Sequence, residues 1–170
     1  KDANAHSNLG TILKDLGKLQ DAELSTRKAI ELKPNFAEAY SNLGIILDNF
    51  GKLKEAKNNF KKSIALNPDY AQAYWNLALL ELLQGNYKNG LENYEFRYQQ
   101  NTEIIHSKPK IIKVDHQEFK RVKKLLVVSE QGLGDTLQFM RYIPYLRSQG
   151  LNVSFCAQEK LHSLIKASGI

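Results

Sequence analysis

A self-similarity of 34 residues constrains this chain more than any other feature it has. "AHSNLG" at 5–10 returns as "AYSNLG" at 39–44 and as "AYWNLA" at 73–78. Other positions keep step: Gly17, Gly51 and Gly85; Leu19, Leu53 and Tyr87; Ala22, Ala56 and Gly90; and Pro34 and Pro68, with Thr102 where a third proline would stand. A fixed period of this length marks stacked supersecondary units, none of which can bury its apolar face alone.

Each unit holds two apolar-periodic stretches separated by a glycine and closed by a proline, the pattern of a helix, a turn and a second helix. In the second unit the first helix is expected to present Tyr40, Leu43, Ile46 and Leu47. Gly44 would let the partner helix come close, and Gly51 would end the first helix in a left-handed cap. The second helix contributes Leu53, Ala56, Phe60 and Ile64, and Pro68 prevents it from continuing. Asn35 and Asp69, one residue after each proline, are expected to cap the helices that follow.

These positions closely resemble the tetratricopeptide repeat, in units at 3–36, 37–70 and 71–104 of a solenoid spanning 1–100. The family's small and large positions are met by Leu9, Gly10, Ala22, Ala29 and Pro34, then by Tyr40, Leu43, Gly44, Ala56, Phe60 and Pro68. Departures are His6, Thr26 in the place of Phe60, and Gly90, Arg97 and Thr102 in the third unit, which suggest that the array ends there.

Asn8, Asn42 and Asn76 share one position of three successive first helices. Asparagine costs roughly 0.6 kcal/mol against alanine in a helix, so three in register need a reason. The resemblance implies one: first helices of such repeats line a concave groove, where an amide can donate to and accept from the backbone of an extended peptide. The other reading is a hydrogen bond to the neighbouring repeat, or the repeat consensus alone. Around the asparagines the groove would show Asn4, Glu38 and Gln72; Ser7, Ser41 and Trp75; and Thr11, Ile45 and Leu79. That set lacks the lysines and arginines needed to capture a free peptide C-terminus. Trp75 is either a binding anchor or a side chain that packs on the next element.

Composition narrows the class. Of 170 residues 42% are hydrophobic and 25% charged, and aliphatic runs such as Leu125–Val128 fall far short of a membrane span, which needs about 20 residues. A soluble, cytoplasmic protein without a signal peptide is expected. One cysteine, Cys156, excludes an internal disulfide, and the four histidines lack ligand partners at metal-site spacing, so no metal is expected. The opening Lys1 and the closing "KASGI" read as a piece of a longer protein.

From 101 to 123 the helical period fails and a basic linker follows the repeats. Residues 100–124 hold seven Lys/Arg against three acidic residues, yet arginine and stacking aromatics are sparse, which favours a solvated connection over a nucleic-acid interface. "KIIKV" at 110–114 could form an edge strand. Beyond it the pattern predicts a strand at 124–129, a helix at about 135–149, a strand at 151–156 and a helix at about 158–168. This β-α-β-α order is the beginning of a Rossmann-like α/β domain with parallel strands, the first of them apolar on both faces. The fold class is thus mainly α, a three-repeat solenoid followed at 124–170 by a small partial α/β unit.

The loop "SEQGLGDTLQF" at 129–139 lacks the lysine of a P-loop and the third glycine of a dinucleotide fingerprint, since position 137 is leucine. Asp135 with Gln138 three residues later would form a capping box. The stretch from Leu125 through "RYIP" to Ile165 resembles the start of the heptosyltransferase-like glycosyltransferases of the GT-B class, and "YEFRY" at 94–98 resembles the passage by which such proteins leave their last repeat. That resemblance implies Asp135 as a general base toward an acceptor hydroxyl, with Gly132 and Gly134 admitting substrate to the backbone. Pro144 should kink the helix near Met140. A GT-B enzyme holds its nucleotide sugar mainly in a C-terminal domain, so this chain would be inactive alone and would hold no cofactor itself. The expected function is therefore a scaffold presenting a partner or acceptor peptide to an attached transferase-like domain; the alternative is a glycosyltransferase acting through Asp135. A second copy could pair on the exposed sheet edge.

Overall fold

The computed structural model describes residues 2–99, 114, 122–129 and 132–170. The chain divides into two compact units, Lys1–Asn101 and Thr102–Ile170.

The first unit is built from three helix pairs: α1 (Ala3–Asp15) with α2 (Leu19–Leu32), α3 (Ala37–Asn49) with α4 (Leu53–Leu66), and α5 (Ala71–Leu83) with α6 (Tyr87–Tyr94). Each pair turns at a glycine with positive φ, Gly17 at 74°, Gly51 at 73° and Gly85 at 76°, a conformation in which a Cβ is strained. The pairs stack in sequence, α2 on α3 and α4 on α5. Alanines occupy the crossings: Ala22, Ala29, Ala39, Ala56, Ala73 and Ala78 are fully buried. Between them lies a core of Leu43, Leu47, Phe60, Leu77 and Leu80. At Gly44 the two helices of the pair α3/α4 come close together, since a Cβ there would stand 2.6 Å from Phe60 Cδ1. The first pair has Thr26 in the place of Phe60, with its Oγ1 buried and without a hydrogen-bond partner among the described residues.

Two local expectations are corrected. Asn35 and Asp69 do not cap: α3 and α5 start after Phe36 and Tyr70, neither making a side-chain cap bond, and the Asp69 N–H instead donates to Asn67 Oδ1 at 3.2 Å. The last second-helix is short. α6 spans only Tyr87–Tyr94 before the backbone tightens to a 3₁₀ turn over Glu95–Gln99.

In the second unit β1 (Lys124–Val128) pairs in parallel with β2 (Asn152–Cys156), in register from Lys124 opposite Asn152 to Val128 opposite Cys156. The crossover expected as one helix is two, α7 (Leu133–Met140) and α8 (Tyr142–Ser148). Pro144 gives no N–H to the carbonyl of Met140, and the helix breaks at Arg141 between them. A 3₁₀ turn over Glu159–Leu161 and α9 (His162–Ala167) follow β2. Ile143, Val153, Leu161 and Ile165 form the small core. The apolar β1 is not buried on both faces: Leu126 is 38% exposed, because the described sheet has two strands and no layer over its second face. The proposed edge strand at 110–114 and most of the linker at 101–123 lie outside the described residues.

Replacing Gly44 by alanine forces a methyl into the Phe60 ring and should lower stability by about 1–3 kcal/mol. In urea denaturation Phe60→Leu is expected to cost less in the Gly44→Ala background than in the native chain, the mark of two residues sharing one space.

Candidate functional site

The three first helices, α1, α3 and α5, carry the asparagines in register, and the structure decides what holds two of them. Asn42 Nδ2 donates to Ser7 Oγ at 3.1 Å, and Asn76 Nδ2 donates to Ser41 Oγ at 3.2 Å, so each amide reaches back to the preceding repeat. The accepting serines are buried, at 2% and 1% exposure. Asn76 Oδ1 also accepts from Gln72 Nε2 at 3.0 Å. Asn8, the first of the three, is exposed, while Asn42, Asn76 and Ile45 are half-buried. An amide has two N–H groups and two acceptor lone pairs, so these bonds fix the rotamer and use only part of the capacity.

Trp75 stacks on Tyr94 with ring centroids 4.9 Å apart, and its neighbour Tyr74 lies parallel to Phe96 at 3.6 Å. Arg97 sits 4.4 Å over the Tyr94 ring and donates to the Tyr94 carbonyl at 2.9 Å. Tyr94 and Phe96 thus stack on α5, and Trp75 packs on the next element instead of standing free. Tyr70, at the start of α5, has its phenol pKa raised above 10.0, first by burial and then by the Glu38 carboxylate.

Sequence reasoning missed Glu81. The period aligns it with Leu47 and Leu13, yet it is 2% exposed and stands in the core. Lys57 Nζ on α4 lies 2.9 Å from Glu81 Oε1, and Asn93 Nδ2 on α6 donates to Oε2 at 2.9 Å. A charge in a leucine position was the available signal, because such a residue must be paired from neighbouring helices.

In the second unit Asp135 does not cap α7. That helix starts two residues earlier, after Gly132, because the Thr136 N–H closes the first turn on the Gly132 carbonyl at 3.0 Å. Asp135 is the third residue of α7, half-exposed, and its Oδ2 lies 3.3 Å from where a Gly132 Cβ would stand. Gly134 is exposed. Beyond the carboxyl ends of both strands opens a cleft of about 510 Å³ whose described lining includes Val128, Ser129, Gly132, Cys156, Gln158 and Lys160. Gln158 Oε1 accepts from Ser129 Oγ at 3.1 Å and from Thr136 Oγ1 at 2.9 Å, tying the residue after β1 and helix α7 to the segment that follows β2. Gly132 therefore borders the cleft, whereas Gly134 and Asp135 are not among its described lining residues. Gln158 and Thr136 were missed by the sequence reading, being 22 residues apart and without a motif. Among the described residues no three His, Cys, Asp or Glu side chains gather as a metal ion would require, and no helix is long and apolar enough to cross a membrane.

Stacked helix pairs with glycine turns and a polar register along the first helices define a helical-repeat solenoid. Residues 3–36 and 37–70 match the family model of the tetratricopeptide repeat, so the first two helix pairs are tetratricopeptide repeats. Among solved structures the chain is similar to MamA, with TM-score 0.53 and 24% identity over 58% of this chain and 57% of that one, little more than half its length. It is similar to the second TPR of Spaghetti (RPAP3) bound to HSP90 peptide SRMEEVD, with TM-score 0.54 and 18% identity over 56% of this chain and 89% of that one. The TPR2B domain of yeast Sti1 in its pHsp70 complex gives TM-score 0.54 and 22% identity over 57% of this chain and 78% of that one. At these identities the likeness is one of fold. No curated protein matches the chain significantly.

Removing the Asn42 amide leaves the buried Ser7 hydroxyl without the donor it has in the structure. Asn42→Ala should cost about 1–3 kcal/mol, whereas Asn8→Ala, at an exposed position, should leave the thermal midpoint unchanged. Equal effects in a side-by-side melt would contradict the repeat-to-repeat bond.

Proposed function

We propose that the helical unit is a protein- or peptide-binding scaffold, with an extended segment of the partner lying along Asn8, Asn42, Ile45, Trp75 and Asn76, and with the buried Ser41 holding Asn76 in place. The observation that carries this reading is the pair of repeat-to-repeat hydrogen bonds: they hold Asn42 and Asn76 in fixed rotamers while leaving part of each amide's capacity for another backbone. Preorganised donors lower the ordering cost of binding. Fold neighbours captured with HSP90 and pHsp70 partners support a groove of this kind.

The chemistry differs from that of an acid-binding groove. SRMEEVD carries three acidic side chains, while the groove positions here supply Asn4, Glu38 and Gln72 and no lysine or arginine. The proposed partner is a neutral or basic extended segment. Selection of this chain against a random heptapeptide display should yield sequences depleted in Asp and Glu, with SRMEEVD binding about tenfold more weakly than the best of them. Asn8→Ala should weaken the selected peptides without changing the fold. Selection of acidic peptides, or indifference to Asn8→Ala, would overturn the reading.

A second reading is favoured by the parallel β1-α7-α8-β2 order with a cleft at the carboxyl ends of its strands, the usual place for a ligand in an open α/β sheet. In this reading Lys124–Ile170 is the front of a GT-B domain in a longer protein. Gly132 and Gly134 admit the acceptor, Asp135 takes its hydroxyl proton, and the nucleotide sugar is held by a further domain. The chain alone should then neither bind nor hydrolyse sugar nucleotides. In the longer protein Asp135→Asn should lower kcat by about 10²–10⁴-fold at unchanged donor KM; unchanged kcat would remove Asp135 from the chemistry.

A further inference from the structure

The two junctions between successive repeats differ in charge. At the first, between α2 and α3, Lys33 Nζ lies 4.5 Å from the centre of the Phe36 ring, a cation over an aromatic face. At the second, 34 residues further on, Tyr70 stands for Phe36 and Asn67 for Lys33. The ring persists and the cation is gone: among the described residues no lysine or arginine lies over Tyr70.

What stands near the second ring is a carboxylate. Glu38 takes the place of Asn4 in the first unit, and the Tyr70 phenol pKa is raised by burial first and by the Glu38 charge second, so the two groups act on each other. Glu38 also stands in the asparagine register. It precedes Asn42 by one turn, as Gln72 precedes Asn76, and Gln72 Nε2 donates to Asn76 Oδ1 at 3.0 Å, so a side chain at this position lies along the ladder. The first helices α1, α3 and α5 carry Asp15, Glu38, Asp48 and Glu81 against Lys14 alone. Asp15 is matched by Lys14 at 3.0 Å and Glu81 by Lys57 at 2.9 Å. Glu38 is exposed and has no ion-pair partner among the described residues.

We propose that Glu38 and the Tyr70 ring together receive a lysine or arginine side chain of the bound segment, which makes Glu38 a specificity-determining residue of the groove. The inference rests on the peptide-binding reading and deepens it, from a neutral or basic segment to one with a cation at a fixed place beside the ladder. Charge complementarity selects that occupant: a carboxylate and an aromatic face both attract a cation. The attraction is local, since the chain as a whole carries a net charge of +6.

The probe is a random heptapeptide display, selected in parallel on the full native chain and on Glu38→Gln, Glu38→Lys and Glu55→Gln. Glu55, exposed on the second helix α4, controls for the loss of one negative charge elsewhere. Native selections should enrich Lys or Arg at one position; Glu38→Gln should remove that enrichment, Glu38→Lys should replace it by Asp or Glu, and Glu55→Gln should leave it. For a selected peptide followed by fluorescence anisotropy, Glu38→Gln should weaken binding about three- to tenfold. Replacing the peptide's basic residue by glutamine should do the same, and the two changes together should be no worse than either alone. Peptides that keep the basic position against Glu38→Gln, or that lack one while remaining sensitive to Asn8→Ala, would overturn this inference and leave the groove standing. An equal loss with Glu55→Gln would overturn it as well, by making the preference one of bulk charge. Peptides indifferent to Asn8→Ala would overturn the groove reading and this inference with it.

Discussion

The close approach of two helices within a repeat is the contact on which the rest of the first unit depends. At Gly44 the absence of a side chain lets the Phe60 ring lie against the backbone of α3, and the neighbouring crossings are held by alanines with no exposed surface. Helices drawn this near leave their remaining apolar residues pointing to the next pair, where Leu43, Leu47, Leu77 and Leu80 become one core. Stacking is then the only way to remove those side chains from water, and the 34-residue register fixes which side chains line up.

Polar contacts follow from that register. Because first helices repeat at a constant offset, an asparagine in one repeat meets a serine one position earlier in the repeat before, and the pattern recurs as Asn42 with Ser7 and Asn76 with Ser41. Trp75 occupies the serine position in the third unit and stacks on Tyr94, so the ladder changes from hydrogen bonds to aromatic contacts where the array meets "YEFRY". Glu81 adds a charge inside the same interface, clamped by Lys57 and Asn93 from the helices on either side. A buried carboxylate with two partners in fixed places penalises any other stacking of α4, α5 and α6, because misplacement would leave the charge unpaired.

The α/β unit obeys different limits. Among the described residues the sheet has two parallel strands, and Leu126 stays partly in water although "KLLVV" reads as an interior strand. Its order comes instead from the buried Ile143, Val153, Leu161 and Ile165, and from Gln158 bridging Ser129 and Thr136. Gly132 lies on the rim of the cleft so formed, while Asp135 stands in the first turn of α7 and is not among the described lining residues.

Repeat period, helix pairs, glycine turns, a close approach of the partner helix at Gly44, parallel strands and the break ahead of Pro144 were all legible in the sequence. Each is local or periodic: glycine with positive φ, proline without an N–H, and apolar spacing act through a few adjacent residues. Capping was misread at Asn35, Asp69 and Asp135, because several residues near a helix start have suitable side chains and only backbone hydrogen bonding selects the first turn. What the sequence by itself determined is the repeating frame and the set of side chains presented along each helix. Tertiary structure alone decided the partners: Asn42 with Ser7, Trp75 with Tyr94, Glu81 with Lys57, Gln158 with Thr136, and the exposure of Leu9 and Ile12 where Leu43 and Ile46 are covered. Those pairs join residues 19 to 35 positions apart, and no local propensity acts across such distances; only the stacking of completed helices and strands brings them within reach.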